Sequence, residues 1–441
     1  MRSSALFLAC LGAVAASGQT PLPLSLKRAV EIGLAPDGST RVALAQESIA
    51  QAEERVKQSR AAFLPNLDAT VTDRRLTNNL KAFGFSFALP IPGFSIPSMV
   101  GPFSVFDARA TAQQTVLNFS DIRKYQASKV SLQAVKTEND ATKNQVSDEI
   151  ARNYLACLRA DANRNTAKAN VELSQALLDL AKRQQSAGTG TGIEVTRADV
   201  QLANDRQRLV RAENDRARAI LQLMKAMGLS MSTPVELTGK LEYQTVDTAT
   251  AEALLDQARK ARPDLRTQQQ KEEAARLNFT AVKSERLPTV GASVDYGAIG
   301  SAPYNSNGTY TMGVALRIPV FDGGRRDARR QETFSQFRQE QIRSKDLGQQ
   351  IELQVRQALE NLRSSMAEVE ASRDGEKLAE NELAQARRRY EAGVATSVEV
   401  TDAQTRLQRA RDNNVLALYD YNLARLDLAT ATGSIGEYVN Q

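Results

Sequence analysis

The 441-residue chain has no histidine and no tryptophan, only 5 % aromatic residues, and two cysteines. Without histidine, Ser-His-Asp hydrolysis, imidazole acid–base chemistry and histidine-ligated metal centres are excluded together. Cys10 falls in an N-terminal leader, so the mature chain keeps Cys157 alone. One thiol can form no internal disulfide and no cysteine-based zinc site, and among helix formers it reads as a small packing residue. Carboxylate pairs such as Asp148/Glu149 sit amid polar helix residues without signs of a closed pocket, so the chain reads as no enzyme, with no cofactor and no metal. The net charge is +6. Its basic residues alternate with acids, as in "ENDRARA" and "QARRRYEAG", which suits solvated helix faces and not a nucleic-acid surface.

What the chain does contain begins with a leader. Arg2, the apolar run Ala5–Ala16 and small residues near Gly18 form a signal peptide over 1–18, cut after Ala15 or Gly18. Cleavage at Cys10 would leave too short an apolar run for a lipid-modified start. Removing the leader takes away one arginine and no acid, leaving a charge of +5.

The stretch "SAGTGTGIEVTRAD" (Ser186–Asp199) is rich in glycine but lacks the lysine of a phosphate loop, and it follows strong helix formers. It recurs downstream. With a shift of 205 positions, Arg183–Gly228 aligns without a gap on Arg388–Gly433, eighteen positions of forty-six being identical. A second match pairs "RAAFLPNLDATV" with "KSERLPTVGASV". The chain is therefore an internal duplication, read as repeats over 19–229 and 251–441 joined by a linker, 230–250.

Each half shows the same order of elements. A helical segment comes first, Leu26–Ala62 or Ala251–Arg286 with a break at Pro263, and ends at Leu64-Pro65 or Leu287-Pro288. Alternating stretches follow. In "GTYTMGVALRIPVF" one face carries Tyr310, Met312, Val314, Leu316, Ile318 and Val320. Between the first pair of strands, Leu76–Gly101 reads as an ordered loop with Phe83, Phe85 and Phe87. Then come Phe119–Ala187 and Ile193–Met227, mirrored by Arg325–Glu391 and Val398–Ala431. At ~1.5 Å per residue the first of these makes a rod of about 100 Å. The glycines turn one long helix into the next, with Thr191 and Thr396 as caps.

Strands apolar on one face and long enough for the ~9–11 residues of a tilted membrane strand suit a barrel in lipid. One chain supplies about four strands and no membrane barrel closes with fewer than ~8, so chains must share the barrel. The paired repeats, "RPDLR" (Arg262–Arg266), "RIPVFDGGRR" (Arg317–Arg326) and "RRYEAGVATSVEVTDAQTRL" (Arg388–Leu407) resemble the TolC family of outer-membrane efflux proteins over nearly all of the mature chain.

That resemblance implies a mainly α fold with a β-barrel part. It would be a homotrimer whose α-helical barrel in the periplasm continues into a twelve-stranded barrel in the outer membrane. It also implies an exit duct served by an inner-membrane pump and a periplasmic adaptor protein. A periplasmic helical adaptor is the alternative, although it would carry one hairpin where this chain has two. By the same resemblance the turns at Gly188 and Gly393 lie at periplasmic tips forming a gate, with Tyr390, Glu399 and Asp402 around Gly393 and Glu194 around Gly188. The family's basic position holds Ala395 here, and Arg197 is a candidate partner for the acids. Helix-terminal charge complementarity would explain Glu194 and Glu399 as well. Arg325, Arg326, Arg329 and Arg330, just after a strand, are expected at the membrane boundary in reach of lipid phosphates.

Overall fold

The computed structural model describes residues 22–84, 98–244 and 250–440. The signal peptide lies outside these residues, as do Phe85 and Phe87 of the expected loop. The chain divides into two compact units, one of residues 1–46, 139–263 and 349–441, the other of 47–138 and 264–348.

The first unit begins with strand β1 (Leu22–Leu24) and helix α1 (Leu26–Leu34). The single helix expected over Leu26–Ala62 is in fact two, since α2 runs Thr40–Ala61. Pro36-Asp37-Gly38 makes the break, a turn-forming run in which the Ser39 N–H returns to the Gly33 carbonyl at 2.9 Å. Gly38 is required by crowding, because a Cβ there would stand 2.3 Å from the Ile32 oxygen.

In the other unit, β2 (Asn66–Asn79) and β3 (Met99–Leu117) pair antiparallel. The pairing continues to Asn79↔Met99, so the strands take in both ends of the expected Leu76–Gly101 loop. A short 3-10 turn, Leu80–Phe83, follows.

Helix α3 (Phe119–Ser186) is continuous for 68 residues, and α4 (Gly192–Met227) returns from it. In the linker, β4 (Val235–Leu237) pairs in parallel with β1, a contact that three-residue strands cannot announce in sequence. Tyr154 fastens this pair to α3, its hydroxyl donating to the Leu24 carbonyl at 3.0 Å and accepting from the Gly239 N–H at 3.1 Å.

The second half repeats the order: α5 (Ala251–Ala261), α6 (Pro263–Lys283), β5 (Thr289–Ala302), β6 (Asn305–Arg317), α7 (Arg325–Glu391), α8 (Ser397–Thr432) and the short α9 (Ile435–Asn440). Pro263 starts α6, where its missing N–H costs nothing. Strand β6 stops at Arg317, short of the expected Val320, because Pro319 cannot donate to a ladder.

The sheet order is β2-β3-β5-β6, antiparallel throughout, so the two hairpins lie side by side through β3 and β5. Strict alternation puts Val290, Ala292, Val294 and Tyr296 opposite Leu316, Val314, Met312 and Tyr310 on one face, and that face is exposed except at the half-buried Val290 and Ala292. The other face is polar. There Arg109 lies between Asp107, at 3.0 Å, and Asp295 of the next strand, at 2.7 Å. The first unit holds an ordinary apolar core, in which α3 contributes Val146, Ile150, Tyr154 and Cys157, α4 Leu223 and Met227, and α8 Leu426. No helix among the described residues is long and apolar enough to cross a membrane.

Candidate functional site: two helical turns and a basic helix start

Both long helical hairpins turn on a left-handed glycine, Gly188 at φ +76° and Gly393 at φ +72°. In each, the glycine N–H bonds the carbonyl three residues back (Gln185, Tyr390), and the next N–H bonds the carbonyl five back (Gln184, Arg389), all at 3.0 Å. This paired closure satisfies carbonyls that the end of a helix leaves open. A Cβ would meet nothing within 4 Å at either position, so backbone conformation alone calls for glycine.

The returning helices start at Thr191 and Thr396. Glu194 reaches back to accept the Thr191 N–H at 2.9 Å, the reciprocal arm of a capping box. Glu399, its counterpart, instead pairs with Arg389 at 3.2 Å across the turn. Arg389 was not singled out by the sequence pattern, which places the basic residue at position 395. The chain closure that satisfies the Arg389 carbonyl also brings its side chain beside the third residue of α8. Asp402 and Arg197 are exposed and make no ion pair among the described residues.

Tyr390 is 6 % exposed and packs with Leu383, Ala386, Val400, Ala403 and Leu407 against Leu173, Leu177 and Leu180 of α3. Its hydroxyl is buried without a hydrogen-bond partner among the described residues. Burial pushes the phenol pKa up, and the nearby Glu194 carboxylate adds to the shift. The structure thus brings Tyr390 and Glu194 together, whereas Asp402 and Arg197 face solvent.

The arginines that open α7 are largely engaged by carboxylates. The Asp322 carboxylate accepts both the Arg326 backbone N–H, at 3.1 Å, and its side chain, at 2.7 Å. Arg329 pairs with Glu285 at 3.1 Å, and Arg330 approaches Asp327 at 3.9 Å. Arg325 is the open member, its side chain 80 % exposed and 3.9 Å from Asp322. Asp322 is held below the usual carboxylate range by Arg326. Asp322 before the helix start suits the dipole, the basic residues inside the first turns do not, and the ion pairs offset that cost.

An open four-stranded sheet with one apolar, exposed face, joined to two long hairpins, describes a subunit of an outer-membrane channel. Residues 32–229 and 254–434 match the family described as Outer membrane efflux protein, and the chain belongs to that family. Protein CyaE of Bordetella pertussis is 27 % identical over 65 % of the chain, the match taking in 62 % of CyaE's length. Outer membrane protein TolC of Vibrio cholerae is 25 % identical over 73 % of the chain and 76 % of its own length. Pyoverdine export outer membrane protein OpmQ of Pseudomonas aeruginosa is 24 % identical, with 90 % and 82 % covered. Among solved structures, the Campylobacter jejuni CmeC outer membrane channel superposes with a TM-score of 0.77 at 15 % identity, over 94 % of this chain and 88 % of that one.

Proposed function

We propose that the chain is the outer-membrane exit duct of a tripartite efflux or type I secretion system, working as a homotrimer with a periplasmic adaptor and an inner-membrane pump. One observation carries this reading. Strands β2 and β6 are the outer strands of a four-stranded sheet whose apolar face is exposed. In lipid, open edges would leave backbone groups unpaired, so the sheet must close with further copies, and three supply twelve strands. The export role in the name of the Pseudomonas relative agrees with the duct reading, and an adaptor is disfavoured by the family match.

In this reading each repeat, 19–229 and 251–441, supplies one hairpin of strands and one of helices, joined by 230–250. The turns at Gly188 and Gly393 face the periplasm. Three copies of Glu194, Glu399 and Asp402 then line a narrow entrance that favours cations, with Arg197 and Tyr390 beside them. Arg325 is the residue best placed for lipid phosphates, while Arg326, Arg329 and Arg330 fix the helix start.

The test is native mass measurement of the detergent-purified protein, followed by reversal potentials in planar bilayers. Trimers with cation-selective conductance are expected, and Glu399→Gln with Asp402→Asn should weaken the selectivity. A monomer that forms no channel would overturn the duct, and unchanged selectivity in the double variant would remove the acids from the constriction.

A further inference from the structure

Near the turns, three polar side chains from three helices are buried together. Asp205 of α4 is 1 % exposed, Ser174 of α3 2 % and Gln404 of α8 3 %. The Asp205 carboxylate accepts from the Ser174 hydroxyl at 2.5 Å, from the Gln201 amide at 3.1 Å, and from Arg208 and the Gln404 amide at 3.4 Å each. The Gln404 amide also donates to the Ser174 oxygen at 2.6 Å. A buried carboxylate persists only when donors replace the water it has lost, and here they do.

We propose that these residues form a detachable clasp, a positioning element that sets where α8 presents the acids of the entrance. The proposal rests on the duct reading above. Its logic is the unequal distribution of bonds. Three of the four donors to Asp205 belong to α3 and α4, so withdrawal of α8 takes from the carboxylate only the 3.4 Å contact. Ser174 and Asp205 stay bonded, and the first hairpin remains joined while the second is released. Had the carboxylate been on α8, departure would strip it of most of its donors.

Gln404 lies two residues beyond Asp402, so it holds the stretch that carries Glu399 and Asp402. Farther along α8, Asp427 accepts from Arg152 of α3 at 2.5 Å and Thr430 donates to Asp148 at 2.9 Å, beside the apolar core that contains Leu426. The root of α8 is thus fixed by charge and core, its tip by the clasp and the Tyr390 cluster. The clasp is no legacy of the duplication. Under the shift of 205, the counterparts of Ser174, Asp205 and Gln404 are Ala379, Ala410 and Asp199.

The experiment compares the full-length protein in planar bilayers with three variants of the clasp and with Tyr390→Ala, after circular dichroism has shown equal helix content. Gln404→Glu sets two carboxylates on one hydroxyl, and their repulsion should raise the open population roughly tenfold. Gln404→Leu, which removes the amide without adding charge, should raise it about fivefold, the factor of one hydrogen bond, and carries the same test if Gln404→Glu does not insert. Asp205→Asn combined with Gln404→Glu exchanges donor and acceptor and should return the open population to within about twofold of the native protein.

If both Gln404 variants conduct as the native protein does while Tyr390→Ala opens the channel, the clasp is overturned and the duct stands. A donor–acceptor exchange that conducts as much as Gln404→Glu overturns it too, since packing damage would then explain both. Absence of any channel, native protein included, overturns the duct and the clasp with it.

Discussion

The turns at Gly188 and Gly393 are built from nearly the same residues, yet they differ in what lies against them. Glu194, Val195, Thr196 and Ala198 are repeated as Glu399, Val400, Thr401 and Ala403. Val400 and Ala403 are buried, whereas Val195 and Ala198 are only half-buried. The cause is one residue three positions before the glycine, Tyr390 in the second repeat and Gln185 in the first. The ring brings Leu173, Leu177 and Leu180 of α3 onto the second turn, and a glutamine cannot. Closing a helix end is local chemistry, and the duplication has kept it. Being buried depends on a partner elsewhere in the chain.

The largest effect expected from this difference is at that position. Tyr390→Ala removes a buried ring and should weaken the second hairpin by ~3–5 kcal/mol, while Gln185→Ala on the first should cost under ~0.5 kcal/mol. Hydrogen exchange of the amides around each turn would measure both. Equal losses would mean that the ring does not set the two turns apart.

The glycines should behave alike. Gly188→Ala and Gly393→Ala each force a side chain into the left-handed region with no neighbour to strike, for ~1 kcal/mol apiece. Thermal melts of the two variants should shift together, and a much larger shift at Gly393 would show that the second turn also depends on close packing.

Smaller effects are expected at the acids, where the contrast lies in salt response. Glu194 accepts a backbone N–H, and Glu194→Gln should cost up to ~1 kcal/mol with little dependence on salt. Glu399 and Arg389 are an exposed pair, worth ~0.5 kcal/mol or less, and that contribution should fade in high salt. Melts at two ionic strengths separate the cases.

Away from the turns the repeats converge again. Cys157 and its counterpart under the same shift, Leu362, are both fully buried. Burial pushes the Cys157 thiol up to about 12, with Arg216 opposing and Asp161 adding to the rise. A raised thiol pKa favours the neutral folded state, so its contribution is complete below the unfolded value of ~8.5 and is lost as pH climbs toward 12. Maleimide at pH 8 should therefore leave Cys157 unlabelled until denaturant is added. Rapid labelling of the folded protein would show that α3 opens there.

The long helices were legible because proline is absent from them and glycines mark the turns at their ends. Strand faces were legible from strict alternation in β5 and β6. The break at Pro36–Gly38 is written in turn residues, but the helical composition on both sides masked it in the sequence. Strands β1 and β4 were not legible, since three residues carry no period and their partner lies over two hundred residues away. Within the turns, Gly188 and Gly393 could be read from position alone. Arg389 could not, because its link to Glu399 follows from how the chain closes.

By itself, then, the sequence determined where the long helices begin and end, which strand face is apolar, and that two halves share one plan. Hydrogen bonds and steric limits among near neighbours decide such features. Tertiary structure alone decided that Asp205 meets Ser174 and Gln404, that Tyr390 is buried, and that Arg329 at the start of α7 pairs with Glu285. Those outcomes join groups from distant parts of the chain, and burial and charge pairing act on distance in space, which the order of residues does not contain.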